Sequence, residues 1–92
     1  MNWGLVTTAS FDRRARQFLA RHPDLRPRFA EILGQLATDP FAPDLRLHAL
    51  TGRLQGMQAV SLTYSYCIAL TLKITAHEIL LMDIGSHDEV YG

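Results

Sequence analysis

The groups best suited to move protons gather near the end of this 92-residue chain. Ser86, His87, Asp88, Glu89 and Tyr91 follow an apolar run over residues 79–84 and a glycine, Gly85. Histidine changes charge near neutral pH, so His87 is a candidate general acid or base. A second candidate, His48, stands in Leu47-His48-Ala49-Leu50-Thr51-Gly52-Arg53-Leu54-Gln55-Gly56. Asp88 and Glu89 read as solvated, or as helpers that orient His87. His22 at a helix end and His77 in a turn receive no role. No His-x-x-x-His or paired-cysteine spacing points to a metal, and no cofactor is expected.

Charge is uneven along the chain. Residues 1–56 hold eight arginines against five acids, whereas residues 57–92 hold Lys73 against four acids, and the total is zero. An arginine-rich half can face nucleic acid or an acidic partner. The bland reading of any single arginine is a solvated helix face, and zero net charge argues against a strong autonomous grip on a nucleic-acid backbone. Cys67 is the only cysteine, which rules out an internal disulfide. No apolar run reaches membrane-span length. The opening Met-Asn-Trp-Gly-Leu-Val lacks a basic-then-apolar leader pattern, so a cytosolic protein is expected.

The elements that must position these groups form one domain, residues 1–92, of α+β class. Residues 3–8 read as a strand. Ser10 is the expected N-cap of a helix carrying Phe11, Ala15, Phe18 and Leu19 on one stripe. Pro23 ends that helix, Asp24 can cap the next, and Phe29, Ile32, Leu33 and Leu36 make its apolar stripe. Asp39-Pro40 stops it. Gly52 and Gly56 predict a tight reversal into a strand. From Met57 the period becomes two, giving three strands with turns at 63–65 and 75–78. In the last strand Leu80, Met82 and Ile84 share a face by simple alternation, and Gly85 is expected to end it. Short connections require antiparallel pairing. The architecture is an N-terminal strand and helical hairpin packed on an antiparallel sheet of about four strands, β-α-α-β-β-β. One sheet face lies under the helices and the other, small and polar, lies open. Val90 and Tyr91 predict a docked tail.

LHALTGRLQG, the alternating strands and DIGSHDEVY together resemble the RelE/ParE toxin superfamily of bacterial toxin–antitoxin pairs, closest to its YafQ-type and RelE/StbE-type branches. The resemblance covers nearly the whole chain. It implies a metal-independent endoribonuclease that cuts messenger RNA on the ribosome by attack of a 2′-hydroxyl on the adjacent phosphate, and that is neutralised by a cognate antitoxin in a hetero-oligomer. It carries catalytic roles onto His48, His87 and Tyr91. Phosphate-binding roles fall to Arg53 and Lys73, with Arg53 standing in for an arginine the pattern places at Cys67. Ala59, Ser61 and Ser65 also occupy positions that carry ionisable groups in these branches, so the presumed open face is depleted. Two rival readings follow. One is a RelE-like protein with weak or absent nuclease activity that serves as an antitoxin-binding or repressor-complex module. The other is a ParE-type gyrase inhibitor, against which the histidines count.

Overall fold

A computed structural model describes residues 2–91, the side chains of Arg53 and Tyr91 excepted. Strand β1 (Gly4–Thr7) leads into helices α1 (Ala9–Arg21) and α2 (Arg26–Thr38). Strands β2 (His48–Ala49), β3 (Gln58–Ser61), β4 (Tyr66–Lys73) and β5 (Glu78–Ser86) follow, and a short helix α3 (His87–Tyr91) comes last. The element order is the expected one with two additions, the two-residue β2 and α3. The sheet therefore has five strands, in the order β1-β5-β4-β3-β2. β1 lies parallel to β5, and the pairs joined by short turns are antiparallel.

Thr8 and Ser10 both offer a hydroxyl ahead of the first apolar stripe, and Thr8 takes the cap. Its backbone is extended and its Oγ1 accepts the Phe11 N–H at 3.0 Å. Ser10 lies inside the first turn of α1. Between the helices, Pro23–Leu25 forms a single 3-10 turn, in which Asp24 makes no side-chain cap. Pro27 falls in the first turn of α2, where its missing N–H is not needed. Gly52 and Gly56 both take positive φ, 67° and 97°, which is the reversal their spacing predicts.

The main core lies between the helices and the sheet. Phe11, Phe18, Ile32 and Leu36 meet Val60, Ile68, Leu70 and Leu81 there. Simple alternation fails in β5. Ala69 opposes Asp83 while Leu70 opposes Leu81, so Met82 is an extra residue without a partner. This bulge switches the parity of the strand. As a result Ile79, Leu81 and Ile84 all point at the helices, each at most 2% exposed. Gly85 does not end the strand, which runs on to Ser86.

The second sheet face is not open. Ala59, Cys67 and Ala69 are fully buried beneath Val90 of α3, with Leu50 beside them and Met57 at the margin. Their small side chains leave the room that the tail fills. The expected docked tail is thus present, and it consumes the face thought to be free.

The cap is testable by urea denaturation. Thr8→Ala is expected to lower the unfolding free energy by about 1 kcal/mol, and Ser10→Ala by less than about 0.5 kcal/mol.

Candidate functional site

His87 is the first residue of α3, and four neighbours fix it. The Ser86 N–H donates to Glu89 Oε1 at 2.9 Å, and the Glu89 N–H donates to Ser86 Oγ at 3.2 Å. These reciprocal bonds are a capping box, Ser-x-x-Glu, which satisfies two donors at the helix start. Gly85 leaves room for the box, because a Cβ there would lie 3.0 Å from Glu89 Oε1 and 3.3 Å from Glu89 Cβ, so Glu89 would have to shift by a few tenths of an ångström. Val90 then pins the helix to the second core. The Ser86 N–H, with the Ser86 hydroxyl and the charges of Arg14 and Arg21, holds the Glu89 carboxyl below the usual glutamate range.

So placed, His87 reaches the turn between β3 and β4. Its Nε2 lies 3.3 Å from the Tyr64 carbonyl oxygen, which can only accept, so Nε2 carries the hydrogen in this contact. The same turn walls a cleft of about 580 Å³ lined by Arg28, Asp44, Arg46, Ser61, Leu62, Thr63, Tyr64 and His87. Arg28 arrives from α2. Its Nε donates to the Leu62 carbonyl at 3.0 Å and its Nη1 pairs with Glu31. Arg46 follows a 3-10 turn, Pro43–Leu45, anchored by the fully buried Leu45, and it takes the left-handed conformation with φ 54°. A non-glycine residue held there stores local strain, which clusters at functional sites. Asp44 accepts from Gln35 Nε2 at 3.2 Å. Two guanidiniums and three hydroxyls against one carboxylate line the walls, a set suited to a phosphate-like anion.

The expected site residues separate. His87 lines the cleft. His48 stands at its flank on β2, exposed, with Nδ1 2.7 Å from the carbonyl oxygen of Arg46. Lys73 lies at the far end of β4, paired with Glu78, whereas the Tyr66 end of that strand adjoins Ser86. Seven residues of strand, roughly 23 Å, separate the two ends, so Lys73 does not share a site with His87. The side chains of Arg53 and Tyr91 lie outside the described residues. Ala59 and Cys67 are fully buried under α3, while Ser61 lines the cleft and Ser65 is exposed in the turn. Asp83 pairs with Arg14 at 2.5 Å. Among the described residues no group of three or more His, Cys, Asp or Glu could hold a metal, and no helix is long and apolar enough to cross a membrane.

Sequence reasoning missed Arg28, Arg46 and the box. Ser86-x-x-Glu89 was readable as a cap. Arg46 had a weaker signal, since it follows Pro43-Asp44-Leu45, a repeat of the Pro23-Asp24-Leu25 that forms the other 3-10 turn. Arg28 had none, because its Leu62 contact spans 34 residues.

No protein-family profile matches the chain, and neither does any curated protein. Solved structures do. A metal-bound toxin from Helicobacter pylori is 26% identical, with 98% of this chain and 99% of that one covered and a TM-score of 0.78. YafQ from E. coli strain BL21(DE3) is 13% identical over 98% and 99% of the two chains, with a TM-score of 0.80. A chain of the E. coli DinJ-YafQ toxin-antitoxin complex is 15% identical over the full length of both, with a TM-score of 0.79.

Because the folded state holds Glu89 below its unfolded pKa, its contribution is complete above the usual carboxylate range and is lost as pH falls through the folded value. Glu89→Gln should therefore narrow the acid dependence of stability, and its deficit against wild type should shrink as pH falls below the usual carboxylate range. Denaturation curves between pH 7 and pH 3 would measure this. Ser86→Ala is expected to cost about 1 kcal/mol.

Proposed function

We propose that this chain, whose fold is that of the RelE/YafQ-type toxins, is the toxin of a type II toxin–antitoxin pair and cuts messenger RNA on the ribosome. One observation carries the reading: a histidine held by a capping box shares a cleft with two arginines. Arg28 and Arg46 grip the scissile phosphate and spread its developing charge. The 2′-oxygen attacks phosphorus and the bond to the 5′-oxygen breaks. His48, at the flank, takes the proton of the 2′-hydroxyl, and His87 returns one to the leaving 5′-oxygen. The products are a 2′,3′-cyclic phosphate and a 5′-hydroxyl end. No metal enters the scheme, and the arginine that the family pattern places at position 67 is replaced from α2 and from the residue after Pro43–Leu45.

The partner is a cognate antitoxin, a reading supported by the likeness to a chain of the DinJ-YafQ toxin-antitoxin complex named above. The exposed Arg13 and Arg16 of α1 suit an acidic antitoxin or ribosomal RNA. A protein working on ribosomes belongs in the cytoplasm. The binding-module reading draws support from Ala59 and Cys67, whose burial leaves no room for ionisable groups on that face.

Primer extension on message translated in a reconstituted system separates the two. Wild type is expected to give ribosome-dependent cuts, and His87→Ala should reduce them by about 10²–10⁴-fold. Arg46→Gly should reduce cutting by about 10²–10³-fold while leaving the melting temperature unchanged or raised, since glycine takes the left-handed backbone without strain. Folded wild type that makes no cuts would favour the binding module.

A further inference from the structure

We infer that Tyr64 is a stacking platform for one nucleobase of the single-stranded RNA whose phosphate lies between Arg28 and Arg46. This rests on reading the cleft as an RNA site and adds a recognition element to it.

Tyr64 sits at the tip of the β3–β4 turn with 97% of its surface exposed, more than any other large apolar side chain among the described residues. Phe41, at 54%, still packs edge-on against Trp3. Such a ring on a loose loop would mean little. This turn is held from both sides. The N–H groups of Leu62 and Thr63 donate to the Tyr66 carbonyl at 2.9 and 3.1 Å. The Ser65 N–H donates to Thr63 Oγ1 at 3.2 Å. Arg28 Nε grips the Leu62 carbonyl, and His87 Nε2 reaches the carbonyl of Tyr64 itself. The ring is thus offered to solvent on a fixed backbone, joined by hydrogen bonds to one arginine and to the candidate acid.

An aromatic face beside guanidiniums is the chemistry that binds single-stranded nucleic acid. The cations hold the backbone, and the ring accepts any base because every base has a π-face. An ordered turn makes the ring more effective, since less freedom is lost on binding.

The probe is a fluorescently labelled, 2′-O-methylated RNA hexanucleotide, which lacks the attacking hydroxyl, so anisotropy reads binding without cleavage. Tyr64→Ala should weaken binding by about 5- to 150-fold, and Tyr64→Trp should bind close to wild type. An abasic ladder adds a second readout. At one position, removing the base should weaken wild type as much as Tyr64→Ala does, and should have no further effect in that variant. Equal binding by wild type and Tyr64→Ala, an abasic effect that adds fully to the substitution, or no binding by wild type would each overturn the inference. If Tyr64→Ala lost antitoxin affinity but not RNA affinity, the ring would be a protein contact and the inference would fall. The functional reading fails separately. Message cut in a His87-dependent way, with RNA binding indifferent to Tyr64, sinks only the platform, whereas RNA binding that needs the ring without any cutting sinks only the nuclease.

Discussion

The docking of five residues, His87–Tyr91, sets what covers the second sheet face and where His87 stands. Two hydrogen bonds between Ser86 and Glu89 start the helix, and one buried side chain, Val90, holds it down. An isolated helix of this length has no stability of its own. It exists because the sheet beneath offers a depression. Ala59, Cys67 and Ala69 are small, and Val90 fills the space above them. Burying a valine of this kind yields roughly 1.5–3 kcal/mol, enough to hold one turn whose start is capped. The position of His87 follows from that attachment.

The same attachment accounts for the absence of charge at positions 59 and 67, whereas Ser61 and Ser65 lie outside it. A guanidinium at position 67 would sit in a dry core beneath α3 and pay several kcal/mol of desolvation. This face is packing surface. Arg28 and Arg46 stand at the rim instead, where their charge stays in contact with water.

Much of this was legible in the residues. Phe11, Ala15 and Phe18 at helical spacing marked α1, and Phe29, Ile32, Leu33 and Leu36 marked α2. Failures occurred where tertiary context overrides pattern. Met82 looks like any alternating strand residue, and only its pairing with β4 shows it to be extra. Lys73 shares a strand with the site, yet periodicity carries no information about which end of a strand a ligand meets. Thr8 and Ser10 differ as caps only in which backbone turns extended. The open second face was inferred from small side chains, which are equally the signature of a surface that something else covers.

The partner of His87 has a further consequence. The oxygen it meets belongs to the main chain of Tyr64, and main-chain oxygens survive every substitution except those that distort the backbone. Side-chain identity at this tip is therefore uncoupled from imidazole placement. Mutation can explore new rings, charges or hydroxyls at position 64 while the turn and the helix beside it stay put. Such an arrangement lets the exposed side chain of the turn vary while backbone geometry keeps the imidazole where it is.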